Sequence, residues 1–191
     1  MTFLGIDLEL SGLHEDSCIL TLYMCVLDKN FKICDELSMD LKPEPVNGRS
    51  QYLVEPEAMK INGIDLLSHD ELAITYKQSK TIIYQWIEKM NAKYGHLTPF
   101  GNNIQGDIDK ICKFTIAKES WQNHVNRTVI ELTSLGASLK SLGKLPLDQS
   151  LSIENMAIYF GKKVDRQRLH TANYDVELGA YILKNYLEMM N

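Results

Sequence analysis

The sequence contains no apolar run approaching the roughly 20 residues that a membrane-crossing helix requires, which argues against a membrane protein of the helical kind. It has no excess of positive charge. A net charge of −5 argues against a broad basic surface coating a long duplex, while leaving open a site that holds only a few nucleotides. The four cysteines, Cys18, Cys25, Cys34 and Cys112, have no CxxC spacing and lie mostly in apolar stretches. They read as free, mostly buried thiols in a reducing, cytoplasmic compartment rather than as disulfides or zinc ligands. The start, Met1-Thr2-Phe3-Leu4, lacks the basic-then-apolar pattern of a secretory signal and leads straight into a strand. No internal repeat, low-complexity segment or linker interrupts the chain. Residues 1–191 are therefore expected to form one domain, with 45% hydrophobic residues to supply its core.

Three strands are predicted first, over Phe3–Leu10, Cys18–Asp28 and Phe31–Leu41. Asp28-Lys29-Asn30 suits a hairpin connection, and Pro43-Glu44-Pro45 ends the third strand. Pro56–Ile61 reads as a short helix and Ala73–Lys93 as a long one, with Ile82, Ile83, Trp86, Ile87 and Met90 at mostly helical spacing and Gly95 as its stop. Leu97–Phe100 reads as a buried strand, Ile104–Ala117 as a helix, Thr128–Leu132 as a strand and Thr133–Leu142 as a helix. Ser152 caps a helix that ends at Gly161, and Thr171–Met189 forms the last helix. The order implies an α/β fold with a mixed sheet, three antiparallel strands followed by two parallel ones. For the acidic residues to meet, the first and fourth strands must be neighbours, with the last helix across one face.

The chemistry begins in Phe3-Leu4-Gly5-Ile6-Asp7-Leu8-Glu9. Along a strand, residues i and i+2 share a face, so Asp7 and Glu9 project together. Charges on an otherwise apolar strand need a partner. Two adjacent carboxylates repel unless a cation lies between them, and divalent metals prefer oxygen ligands. Bound metal would reverse the local sign of an acidic chain.

Two further segments complete a pattern. Asp7-Leu8-Glu9, Gly101-Asn102-Asn103-Ile104-Gln105-Gly106-Asp107 and His170-Thr171-Ala172-Asn173-Tyr174-Asp175 resemble, in order, the three motifs of the DEDDh 3′→5′ exonucleases. These form the proofreading-exonuclease-like branch of the ribonuclease H-like superfamily, and the second motif is most similar to its form in oligoribonucleases. Ser11-Gly12-Leu13 follows the first motif, where that family approaches the terminal nucleotide. Three departures stand out: Asn62 in place of the family's His before Gly63-Ile64, Gly106 in place of Phe before Asp107, and Glu131 where many members carry Asp.

The resemblance implies a ribonuclease H-like five-stranded sheet and hydrolysis of single-stranded DNA or RNA from its 3′ end. The products would be nucleoside 5′-monophosphates. Two Mg²⁺ or Mn²⁺ ions, roughly 3.5–4 Å apart, would serve the attacking water and the leaving oxygen. Asp7 is expected to bridge both ions, with Glu9 and Asp175 completing one site and Asp107 serving the other. His170, with an ordinary pKa of ~6.5, is the candidate general base on the loop before the last helix. Asp109 is read as a solvated helix residue rather than the ligand. Leu10 and Leu13 are expected to stack against terminal bases, and Ser11 and Gly12 to offer backbone groups to the 3′ end. Asn102 either orients substrate or caps the following helix, and Tyr174 either faces substrate or packs. Lys162, Lys163, Arg166 and Arg168 form either a solvated loop or a phosphate contact. His14, His69, His96 and His124 are read as surface or loop residues. Relatives also imply a homodimer. The alternatives are an oligoribonuclease-like enzyme acting on RNA, favoured by the form of the second motif, and a catalytically idle binding module. The idle module would be expected to have lost one of the five residues, and none is missing.

Overall fold

Strand β1 (Thr2–Leu10) sits in the middle of a six-stranded sheet, and its neighbours decide where its carboxylates go. In the computed structural model, which describes residues 1–190, the strand order is β4-β3-β2-β1-β5-β6. β2 (Ile19–Leu27) pairs antiparallel with β1 and with β3 (Ile33–Lys42), as the hairpin chemistry predicts. β5 (Leu97–Gly101) runs parallel to β1, with Phe3 opposite Thr98 and Gly5 opposite Phe100. β6 is only Ile130–Glu131, parallel to the end of β5.

The helices are α1 (Pro56–Asn62), α2 (Leu66–Leu72), α3 (Tyr76–Tyr94), α4 (Ile104–Phe114), α5 (Lys118–Gln122), α6 (Leu132–Ser141), α7 (Ile153–Tyr159) and α8 (Ala172–Met190). They cover both sides of the sheet. Leu4, Ile6 and Leu8 of β1 face a core completed by Ile83, Ile87 and Met90 of α3 and Ile108 and Ile111 of α4. On the opposite side, Tyr23, Cys25 and Phe100 meet Leu139, Met156, Val176 and Leu183 from α6, α7 and α8. The strand's two-residue period thus sends Asp7 and Glu9 to the side of α8. Just after Glu9 the pairing slips, from Glu9–Thr21 to Leu10–Ile19, which is a bulge that bends the chain away from the ladder.

The predicted five strands become six. Ile74 and Thr75, expected at the start of a helix, instead form β4 and pair with Leu41 and Lys42. The reason is a capping box: the Thr75 hydroxyl accepts the Gln78 amide, and the Gln78 side chain accepts the Thr75 amide, so α3 begins only at Tyr76. The predicted strand over Thr128–Leu132 shortens for a similar reason, because Glu131 caps α6 and Leu132 is already helical. α2 and α5 fall in segments left unassigned by periodicity. Asp65 caps α2 through the Leu67 and Ser68 amides, and its Ser68 bond supports the turn. All four cysteines are free. Cys18 and Cys25 are buried, whereas Cys34 is exposed on β3. Among the described residues no helix is long and apolar enough to cross a membrane.

Candidate active site

Because β1, β5 and β6 run parallel, their carboxyl ends open along one edge of the sheet, where open α/β sheets form their clefts. The acidic residues gather there. Asp7, Glu9 and Asp175 each place one carboxylate oxygen within 4.8 Å of the others, although 166 residues separate Glu9 from Asp175. Asp175 reaches the pair because α8 lies unusually close to β1. A Cβ on Gly5 would fall 2.5 Å from Val176 Cγ1 and 2.9 Å from Phe100 Cζ, so only glycine permits this approach.

Asp107, in the first turn of α4, is buried and lies outside that trio, yet it is the strongest neighbouring charge on Asp7. Burial, then repulsion from Asp107, Glu9 and Asp175, raises the Asp7 pKa well above the carboxylate range. Burial and Asp175 push Glu9 up to about 8. Asp107 is raised by burial and by Glu131 and Glu9. Asp175 is raised by burial, against the opposing pull of His170. Asp175 Oδ1 is buried without a hydrogen-bond partner. An all-oxygen donor set, mutual repulsion and a buried oxygen without a partner are what a hard divalent cation relieves, so these residues fit the metal that the motifs imply.

The segment before Asp107 is locked by local chemistry. Asn103 adopts a left-handed conformation at φ 56° as α4 begins. Glu131 then does two jobs: one carboxylate oxygen accepts the Ile104 amide at 3.0 Å, the other the Thr133 amide at 3.2 Å. It ties the starts of α4 and α6 together beside Asp107, a role the sequence marked only as a substitution for Asp. Asn102 accepts the Thr133 hydroxyl at 2.5 Å and so is anchored to α6, while Asn103 takes the cap position. Gly106 leaves room for the Asn103 side chain, whose Nδ2 a Cβ would approach to 3.0 Å. Asp109 is exposed and accepts Gln105 Nε2 at 2.9 Å, which leaves Asp107 as the carboxylate turned inward.

His170 is exposed, in a left-handed conformation at φ 61°, immediately before α8. With Glu9 and Asn62 it lines a cleft of about 170 Å³. Tyr174 does not line this cleft. It is 3% exposed, its hydroxyl accepts the Asp165 amide at 2.8 Å, and the Arg168 guanidinium stacks 4.3 Å above its ring. Tyr174 therefore packs, and holds the loop that carries His170. The basic run is largely paired: Lys162 and Arg168 with Glu177, and Arg166 with Glu154. Only Lys163 in that run has no acidic partner among the described residues.

At the end of β1, Leu10, Gly12 and Leu13 border an apolar groove of about 240 Å³ with Ala58 and Ile61 of α1, beside Glu9. Ser11 is different. It is fully buried, its hydroxyl donates to Leu53 O and accepts the Cys18 amide, and both its backbone groups are engaged, with Cys18 and Glu55. The expectation that Ser11 offers backbone groups to a 3′ end is corrected: they hold the turn. Asn62, where the related motif carries His, donates to Leu10 O at 3.1 Å and accepts the Ile64 amide at 3.1 Å, bracing the groove from below. His69, expected at the surface, is buried in α2 against Leu41 O at 2.9 Å.

No protein-family model matches the sequence, and no curated protein matches it. Solved structures do match its fold. A zinc-bound complex of E. coli exonuclease I with single-stranded DNA superposes with a TM-score of 0.70 at 16% identity, covering 96% of this chain and 39% of that one. A product-bound exonuclease I gives 0.74 at 16% identity, over 96% and 42%. A 3′-exonuclease described as recognising the 3′ end of a histone mRNA stem-loop gives 0.66 at 16% identity, over 98% and 81%. The chain spans about two fifths of exonuclease I. The mixed sheet with its flanking helices is the ribonuclease H-like fold of these exonucleases.

Proposed function

We propose that this chain is a metal-dependent 3′→5′ exonuclease that releases nucleoside 5′-monophosphates from single-stranded or short nucleic acid. The observation that carries the reading is the meeting of Asp7, Glu9 and Asp175 within 4.8 Å, with buried Asp107 behind them, in a fold shared with exonucleases. Asp7, Glu9 and Asp175 would hold one Mg²⁺ or Mn²⁺ ion, and Asp7 with Asp107 a second. Such ions supply charge for the phosphoryl oxygens, an activated water and a stabilised leaving oxygen.

The chain's own groups do the rest. His170, exposed on a cleft it shares with Glu9 and five residues before Asp175, would accept the proton of the attacking water. The apolar groove of Leu10, Leu13, Ala58 and Ile61 takes the terminal base by stacking, which tolerates any base. The deciding experiment is digestion of 5′-labelled single-stranded DNA and RNA with Mg²⁺, Mn²⁺ or EDTA. Metal-dependent shortening from the 3′ end is expected; none at stoichiometric protein would sink the enzyme reading. Matched DNA and RNA oligomers of several lengths test the RNA alternative, towards which the form of the second motif leans.

A further inference from the structure

Leu13 stands at the tip of the loop between β1 and β2 with 91% of its surface exposed, on the rim of the apolar groove. An exposed loop with one apolar tip would ordinarily lose entropy on engaging a ligand. Here two side chains from distant parts of the chain already restrain it. Lys110 of α4 donates from Nζ to the carbonyls of His14 at 2.6 Å, Glu15 at 2.9 Å and Ser17 at 3.1 Å. Those three bonds use every donor the ammonium has, so none is left for a phosphate. From the other side, the Glu55 carboxylate accepts the His14 amide at 3.0 Å. It also packs against Gly12 so closely that a Cβ there would lie 2.6 Å from Glu55 Cδ. Lys113 adds an outer clasp to Glu15 and Asp16. Lys110 lies one helical turn beyond Asp107, on the same rigid helix.

We propose that Lys110 is a positioning residue that locks the Leu13 loop to the helix bearing Asp107, holding the base-stacking tip at a set distance from the carboxylates. The proposal rests on the exonuclease reading and adds to it the group that ties the base-binding end of the site to the reacting end. It acts through the loop backbone and never touches substrate. His14 and Glu15 are exposed, so water can replace the ammonium at two of the three carbonyls, whereas fully buried Ser17 loses this partner, so Lys110→Met is expected to fold with a somewhat lower melting temperature.

The test compares the full chain and its variants, with Mn²⁺, on a single-stranded oligonucleotide and on the same oligonucleotide ending in an abasic 3′ residue, a base-free diester with no ring to stack. Lys110→Met is expected to raise KM for the oligonucleotide about five- to tenfold, with kcat within about twofold and the base-free ester unaffected. Leu13→Ala should raise KM for the oligonucleotide as well, and Lys110→Met with Leu13→Ala should be no worse than Leu13→Ala alone. Additive losses, or equal losses on the base-free ester, would overturn the positioning role. Wild-type activity with an unchanged KM in Lys110→Met would overturn it too, leaving the exonuclease reading intact. A wild type that cleaves neither substrate sinks both. Glu55→Gln, which weakens the amide-side anchor, is judged by the same comparison should Lys110→Met not fold.

Discussion

At the scale of single residues, the site is a set of carboxylates held where their charges are costly. Asp7 has the most to lose, being half-buried and faced by three other acids. Asp7→Asn is therefore expected to have opposite effects on stability and on function. It should raise the melting temperature of the metal-free protein, by removing a repelled, half-buried acid, while lowering activity at least about a thousandfold and abolishing Mn²⁺ binding. Thermal melts in EDTA, titration calorimetry and oligonucleotide digestion read the three quantities. His170 differs because it is exposed and outside the carboxylate trio. His170→Ala is expected to cut kcat by about 10²–10⁴ with Mn²⁺ affinity retained. If metal affinity collapses instead, the general-base assignment is wrong.

At the scale of elements, the critical contact is α8 against β1. The helix carries Asp175 and the strand carries Asp7 and Glu9, so their spacing is set by the glycine between them in the packing. Val176 is β-branched and cannot swing aside, so Gly5→Ala must push the helix outward. The expected cost is about 1–3 kcal/mol in urea denaturation, with weaker Mn²⁺ binding because Asp175 retreats from its partners. Val176→Ala in the same chain should recover part of both. A Gly5→Ala protein with unaltered metal affinity would show that the helix position does not govern the site. The same logic explains Glu131 and Tyr174: each uses its polar atoms to fix the start of a helix or the loop before one, and through it a residue of the site.

At the scale of the whole molecule, parallel strands bring the carboxylates to one edge, and their summed repulsion makes stability depend on pH and metal. All four have raised pKa values, so the folded protein retains protons that the unfolded chain releases. Their contribution to metal-free stability is full below the ordinary carboxylate pKa. It is lost as pH rises toward about 8, where Glu9 titrates. Divalent metal requires the ionised forms, so its stabilising effect should grow across the same window. Melts from about pH 5 to about pH 9 in EDTA are expected to fall with pH, and melts in Mn²⁺ to fall less or rise. A metal-free protein that gains stability over that range would contradict this account of the cluster.

What the sequence by itself determined is whatever depends on short-range periodicity and residue type. Alternation along Phe3–Glu9 placed Asp7 and Glu9 on one face, the hairpin and helix signals delivered β1 to β3, α3, α4 and α8 within a few residues, and three motifs picked out the acids that come together. What only the tertiary structure decided concerns groups far apart in the chain. That Ser11 is spent on Leu53 and Cys18, that Tyr174 turns inward to Asp165, that Asp107 rather than Asp109 faces the cluster, and that Lys110 and Glu55 clamp the Leu13 loop all follow from partners 7 to 96 residues away or from which side of a helix meets the sheet. A side chain's polar atoms go to whichever partner packing brings within reach, and neither periodicity nor motif spacing carries that information.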